Sequence, residues 1–423
     1  MEEPNATGRP AAEAFLSALH DCGIRHVLAN GGTDFAPIVE SILRLRNAGR
    51  AIPHFITVPH ENVAIAMAQG YAKTCRRPLA VMVHVNVGTA NTICGLMNAA
   101  RDNVPLLLAA GRTPLTETGH AGSRDSFIHW PQENFDQAAI VREHVKWDYE
   151  LRAGQPVATL VARALDIAMS EPQGPVYLTL PREVLGDELV DAGLPPRGRP
   201  LGAVSAVPSA RSIEKAADMI AGAERPLVIA GRCGRLPGAF DALGSLAADY
   251  ALPVASAPCL NIASSHPMNL GFVTRSLLAS ADAIVVIDAP VPWVPGAMQP
   301  APHAKLIHIA HDPFFADYPL RGFAMDLAIA GDPVAAILLL HEALRERLRN
   351  KQAVVDRRRR DIADMRRRVD EERAAFLARA ASMRPIHPAF VAKALNEVKA
   401  KDAIIVEELG AAFPFLDLDV PGT

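Results

Sequence analysis

The sequence predicts an α/β protein made of two doubly wound parallel-sheet domains and the start of a third. Three observations carry this prediction. Short apolar runs alternate with segments of helical apolar spacing across residues 11–185. The runs are continuous rather than alternating, as residues 79–85 show, which marks strands covered on both faces. A Gly- and Pro-rich stretch at 191–208 then separates this region from a second one with the same alternation.

Taken in order, residues 11–21 place Ala14, Phe15, Ala18 and Leu19 at helical spacing and stop at Cys22-Gly23. Residues 26–29 read as a buried strand entering the turn Asn30-Gly31-Gly32-Thr33-Asp34. A helix over 37–48, a strand over 55–58 and a helix over 59–73 follow, then the strand 79–85. Residues 86–91 read as a loop, 91–100 as a helix and 105–110 as another apolar strand. A helix over 157–169 and a strand over 174–181 close the first domain, set at 8–188. The second domain, 205–340, has strands at 226–230, 283–288 and 305–309, with helices at 238–250 and 274–280 between them. Residues 341–381 form a charged helical linker whose arginines are balanced by acids, as on a solvated helix. The incomplete third domain, 382–423, offers a helix at 388–398 and a strand at 403–407, too little for a core of its own.

Composition excludes several classes. A net charge of -3 gives no electrostatic footprint for nucleic acid or an anionic membrane. Five scattered cysteines without a C-x-x-C pair encode neither a zinc site nor a disulfide framework, and point to a reducing cytoplasm. The N-terminus carries acids rather than a basic stretch and apolar run, so no signal peptide is expected. No apolar run approaches the ~20 residues of a membrane span.

In a doubly wound sheet, ligands sit on the loops leaving the carboxyl ends of the strands. The most informative such loop is Val58-Pro59-His60-Glu61-Asn62, where Glu61 opens a helix lined with small residues up to Gly70-Tyr71-Ala72. On spacing alone, Glu61 reads as an acid that complements the helix dipole, worth roughly 0.3–1 kcal/mol. His84, His120 and His129 lie near strand ends or loops and could assist protonation, although most histidines are merely packed or exposed. Phe127, Trp130 and Tyr149 read as core residues.

The segment from His60 to Ala72 resembles the His-Glu-x-x-Ala-x-x-x-Ala-x-Gly-Tyr-Ala segment of thiamine-diphosphate enzymes of the acetolactate synthase, benzoylformate decarboxylase and oxalyl-CoA decarboxylase group. Asn30-Gly31-Gly32-Thr33 is similar to the family's Pro-Gly turn. Asn86-Val87-Gly88-Thr89-Ala90-Asn91 resembles its Gly-Pro-Gly-x-x-Asn loop, with Asn86 and Val87 in place of the first Gly and Pro. Gln132-Glu133, Lys146 and Gly174-Pro175-Val176 extend the likeness over residues 11–185. The resemblance implies a pyrimidine-binding first domain in which Glu61 is catalytic, bonding the aminopyrimidine ring of thiamine diphosphate. It implies further cofactor contacts at Gly31, Gly32, Gly88, Asn91 and Gln132. The expected reaction is decarboxylation of a 2-oxo acid with transfer of the acyl unit to an acceptor, or decarboxylation of the benzoylformate type.

The resemblance also implies a homodimer or homotetramer. The family's third domain holds magnesium through a Gly-Asp-Gly segment and a later Asn, and no Gly-Asp-Gly occurs in the 423 residues. No metal ligand is therefore expected in this chain. The alternatives are a catalytically incomplete fragment, a non-catalytic homologue, or a chain whose partner supplies the third domain. Residues 281–287 resemble the strand that in this family leads into a Gly-x-Arg loop, but residues 288–293 here hold neither Gly nor Arg. FAD is thus possible and not favoured.

Overall fold

The computed structural model describes residues 8–189, 199–256, 259–408 and 410–420. It divides into two compact units, Met1–Val204 and Ser205–Thr423. The helices of the first are α1 (Ala11–Asp21), α2 (Ala36–Asn47), α3 (Glu61–Cys75), α4 (Val85–Asn91), α5 (Ile93–Arg101), α6 (Val157–Met169) and α7 (Arg182–Gly186). Its strands are β1 (Arg9–Pro10), β2 (His26–Asn30), β3 (His54–Thr57), β4 (Ala80–Val83), β5 (Leu107–Arg112), β6 (Asp148–Glu150), β7 (Val176–Pro181) and β8 (Glu188–Leu189).

Six of these strands form a parallel sheet in the order β3-β2-β4-β5-β7-β6. β1 and β8 pair antiparallel beside it. Successive residues of a strand face opposite sides, so Leu107 packs with α1, α2 and α6 while Leu108 packs with α3 and α5. Both faces are therefore dry at the centre of the sheet, which is why β4, β5 and β7 are largely apolar. The chain runs from β2 out to β3 and returns to the other side for β4. The switch point, where a doubly wound sheet opens a crevice, thus lies between β2 and β4.

The second unit repeats the design with β9 (Pro226–Ala230), β10 (Val254–Ser256), β11 (Asn269–Phe272), β12 (Ala283–Ile287), β13 (Lys305–Ala310) and β14 (Leu327–Ala330). All six are parallel, in the order β11-β10-β9-β12-β13-β14. Around them lie α8 (Ala210–Gly222), α9 (Ala239–Tyr250), α10 (Arg275–Ser280), α11 (Pro333–Leu348), α12 (Gln352–Ala380) and α13 (Pro388–Val398). Most of α12 is the solvated helix its charges predict, but Val355 and Ile362 enter the second unit's core. Arg358 is buried with them and donates to the carbonyls of Ile220 and Ala223, capping the end of α8.

Three sequence expectations are corrected. The loop expected at 86–91 is helix α4, and the helix expected at 91–100 is α5, with a break at Thr92. The strand expected at 403–407 is irregular: among the described residues no strand pairs with it, and a lone strand leaves its backbone groups unsatisfied. Phe127 and Trp130 are not core: they are 96% and 47% exposed. Of the stretch expected as a linker, residues 191–198 lie outside the described residues. Arg199, just past them, pairs with Asp166 of α6.

One prediction arises in this second core. His308 on β13 is buried, stacks on Phe315 and faces Arg321, and burial pushes its imidazole down to about 3. The unfolded chain takes up this proton near the ordinary histidine value of about 6.5 while the folded chain does not. Stability of the second unit is therefore expected to fall as pH drops from about 6.5 towards 3, and His308→Phe to flatten that slope. Urea midpoints across this range check it; equal slopes in both proteins would contradict it.

Candidate functional site

Because the sheet of the first unit is parallel, β2, β3, β4 and β5 all deliver their following residues to one edge. β3 ends at Thr57, and Pro59-His60 turns the chain into α3, whose first residue is Glu61. His60 is the cap: its Nδ1 accepts the Asn62 amide at 3.1 Å, satisfying one of the free N–H groups of the first turn. Glu61 lies beside it, 7% exposed. One oxygen accepts the Asn91 Nδ2–H at 3.1 Å. The other takes no hydrogen bond from the described residues, although a tenth of the side-chain surface stays open. A buried carboxylate with one oxygen unbonded by the protein can still accept a hydrogen bond or share a proton.

Asn91 reaches Glu61 because α4 carries it there, and α4 packs tightly on β4. A Cβ at Gly88 would come to 2.9 Å from the Val83 side chain. Gly95 serves the same purpose between α5 and α3, where a Cβ would lie 2.6 Å from Ile65. Asn86, at the position of the family's first Gly, donates to the carbonyl of Gln132 at 3.0 Å and to Asn134 Oδ1 at 2.6 Å. Its own Oδ1 is buried without a partner. Gln132 is thus tied to α4 by its backbone, and its side chain makes no hydrogen bond to Glu61 or Asn91.

The turn after β2 carries the expected Gly31 and Gly32 together with Asp34, which sequence reasoning passed over. Gly31 lies against the Phe35 ring, where a Cβ would sit at 3.2 Å. Gly32 lies under the His84 imidazole, and a Cβ there would overlap the ring. Asp34, 3% exposed, accepts from His84 Nδ1 at 2.6 Å and from the Val85 amide at 3.2 Å. The Asp34 hydrogen bond raises the His84 imidazole above its ordinary value; burial opposes it, and the charges of Asp34 and Glu61 add to the rise. This pair spans the switch point, Asp34 following β2 and His84 following β4. His84 stood in the sequence as one histidine among several, and Asp34 as an ordinary turn residue. The signal that could have joined them is a Gly-Gly-x-Asp turn and a His, each at the end of a strand flanking the same crevice.

Farther along the edge, Arg112 is bridged by Glu133 and Glu150, and Glu133 also holds Arg124. These charges satisfy one another and fix residues 112–150 to the sheet. His120 pairs with Asp187, and His129, 4% exposed, is pushed below its ordinary value by burial and by Arg182. Neither faces Glu61 through any hydrogen bond. Among the described residues no group of three or more His, Cys, Asp and Glu could hold a metal ion.

The corresponding edge of the second unit is built differently. After β9, the Gly231 amide donates to Ile287 O, the Arg232 amide to Asp288 O and the Gly234 amide to Asn261 Oδ1. A half-buried carboxylate, Asp288, lies at this switch point and is paired with Arg232. A dinucleotide diphosphate needs such amides free and no carboxylate facing it. The residues present do not fit FAD.

Residues 9–140 match the family profile described as thiamine pyrophosphate enzyme, N-terminal TPP binding domain, and residues 213–340 the one described as thiamine pyrophosphate enzyme, central domain. An acetolactate synthase of Arthrospira platensis is 28% identical over 62% of this chain and 44% of its own length. A benzoylformate decarboxylase of Pseudomonas aeruginosa is 25% identical over 82% of this chain and 62% of its own. The chain thus spans less than two thirds of either relative. The crystal structure of benzoylformate decarboxylase from Polynucleobacter necessarius superposes with a TM-score of 0.76 at 20% identity, covering 98% of this chain and 73% of that one. No helix among the described residues is long and apolar enough to cross a membrane.

Proposed function

Because this chain belongs to the thiamine pyrophosphate enzyme family, we propose that its first unit holds the aminopyrimidine half of thiamine diphosphate against Glu61. The activity we assign is 2-oxo-acid decarboxylation with carboligation, of the acetolactate-synthase type. The observation that carries it is the Glu61 carboxylate: buried at the start of α3, one oxygen held by Asn91, the other without a protein partner. When bound, the cofactor supplies a carbon nucleophile for the 2-oxo-acid carbonyl and a sink for the electrons released with carbon dioxide.

The chain's own residues do the rest. Glu61 holds a proton on the ring-facing oxygen, and Asn91 fixes the other oxygen so that the carboxyl cannot turn away. Gly31, Gly32 and Gly88 let Phe35, His84 and Val83 pack closely on the turns and helix that frame the site. Gln132, through its backbone, keeps Asn86 and hence α4 in place. Magnesium and the diphosphate would be held by groups outside the described residues.

A second reading, benzoylformate-type decarboxylation, is favoured by His84. Simple decarboxylation needs a proton delivered to the carbon that lost carbon dioxide, whereas carboligation needs a second carbonyl there. An imidazole whose proton affinity is raised by Asp34 and by the charge of Glu61 suits the former. Product analysis separates the two: acetolactate from pyruvate supports the first, and benzaldehyde from benzoylformate, with no ligation product, supports the second. Neither product under magnesium and thiamine diphosphate would contradict both.

The site also faces outward in a way that fits a homo-oligomer. Val63 and Met67 on α3, Val87 on α4 and Met97 on α5 are all more than two fifths exposed. Gly70, inside α3, would meet nothing within 4 Å where a Cβ stood. A glycine in an exposed helix interior costs about 1 kcal/mol relative to alanine, and no neighbour among the described residues accounts for it. A second copy packing against α3 would. Met67→Glu is expected to reduce the mass in solution, measured by light scattering, to that of one chain. An unchanged mass above one chain would place the interface elsewhere.

A further inference from the structure

The switch point of the second sheet lies between β9 and β12, because the chain runs from β9 out through β10 and β11 before returning for β12. Arg232 follows β9, Asp288 follows β12, and Phe315 and Arg321 follow β13. The ring of Phe315 is where they meet. It is 6% exposed, and the Arg321 guanidinium carbon lies 4.7 Å from its centre and that of Arg232 5.6 Å. The His308 imidazole stacks on it at 5.7 Å, and the Tyr318 ring meets it edge-on at 5.8 Å. A guanidinium over a ring face is attracted by the ring's quadrupole, more strongly where water is excluded. Arg321 also lies over Phe323 at 5.0 Å. Its N–H groups donate to the carbonyls of Ala289, Pro290 and Pro313 and to His308 Nδ1. These acceptors are neutral, so aromatic faces rather than a hydrogen-bonded carboxylate receive its charge.

Placing the ring there strains the backbone. Phe315 has φ 51°, a left-handed value that a bulky residue seldom adopts, and Asp288 at the same edge has φ 46°. Asp312 holds the turn from both sides of Phe315: Oδ1 accepts the Phe314 amide at 3.0 Å and Oδ2 the Ala316 amide at 2.7 Å. Such strain persists only where the surroundings over-determine it. A residue that merely connects β13 to β14 would stay in solvent, as Phe314 and Leu320 do at 70% and 90% exposure. Phe315 is drawn inward instead, onto the two guanidiniums.

We propose that the switch-point crevice of the second unit is a ring-binding site built on two guanidiniums, and that the chain's own Phe315 is its occupant. The place where a doubly wound sheet takes its ligand is then closed by the protein itself. An aromatic ligand enters only when this side chain is removed. The inference is independent of the role of Glu61 in the first unit.

The test is a cavity made at Phe315 in the whole chain. Phe315→Gly removes the ring and suits the left-handed backbone, so the substitution adds no strain of its own. It should lower the unfolding temperature of the second unit. Phenol should then raise that temperature by about 2–4 °C relative to cyclohexanol at equal concentration. Cyclohexanol matches phenol in size and hydroxyl but offers the guanidiniums no π face. In the wild type the two compounds should act alike, and FAD should not stay bound through gel filtration. Should Phe315→Gly not fold by itself, phenol and not cyclohexanol should restore folding on dilution from urea. Equal effects of the two compounds on the variant, a phenol-specific shift in the wild type, or FAD retained by the wild type would overturn the proposal.

Discussion

Glu61→Gln is expected to lower thiamine-diphosphate-dependent turnover of a 2-oxo acid by about 10²- to 10⁴-fold, the usual weight of a positioned acid–base group. Glutamine has nearly the same shape and can keep the contact to Asn91, but it cannot hold or share a proton with the ring. The competing reading of Glu61 is that it only complements the dipole of α3. That role is worth roughly 0.3–1 kcal/mol of stability and none of the chemistry. Measuring turnover and thermal unfolding on the same protein therefore separates the two. A lost rate with a nearly unchanged unfolding temperature assigns Glu61 to the reaction. An unchanged rate removes it.

Gly111→Ala is the second large effect. β5 lies between β4 and β7 in the sheet, so its backbone cannot retreat. The new methyl would overlap the Asp34 carboxylate, which is itself held by His84 and Val85 and has no free space to enter. Overpacking a close-packed interior costs typically about 1–3 kcal/mol, and here it also breaks the Asp34–His84 hydrogen bond. We expect a lower urea midpoint for the first unit and a fall of the His84 imidazole towards its ordinary value. Full stability with an unmoved imidazole would show that Asp34 can be displaced without consequence.

The sequence showed the architecture clearly where both faces of a strand are buried. Residues 79–83 and 105–110 are apolar throughout because α1, α2 and α6 cover one side and α3 and α5 the other. Edge strands were harder to see. β6 is Asp148-Tyr149-Glu150, and β11 contains Gly271; neither has the apolar content that marks a central strand. Residues 86–91 read as a loop because they follow a strand and resemble the family's Gly-Pro-Gly-x-x-Asn loop. Gly88 is instead the close-packing point of α4 on Val83. Phe127 and Trp130 were assigned to a core by their chemistry alone, which says nothing of where a long connection lies.

The candidate site divides in the same way. Glu61 and Asn91 are thirty residues apart, and it was the likeness to a family that joined them; the structure brings them into one hydrogen bond. Asp34 and His84 are fifty residues apart and lie in separate strand-end turns. Nothing local in either turn reveals the other. Only the strand order, which places β2 beside β4, makes them partners. The flavin expectation rested on residues 288–293, which hold neither Gly nor Arg; the structure adds that the amides of the Gly231 turn are bonded within the fold.

The most direct measurement is deuterium exchange at the thiazolium C2 of thiamine diphosphate bound to this protein with magnesium, followed by acid quench and proton NMR. It needs no assumption about the 2-oxo acid or the acceptor. If Glu61 is the carboxylate that activates the cofactor, exchange should be far faster than for free thiamine diphosphate in the wild type, and should fall back towards the free rate in Glu61→Gln. Fast exchange that persists in Glu61→Gln, with the cofactor still bound, would contradict the account.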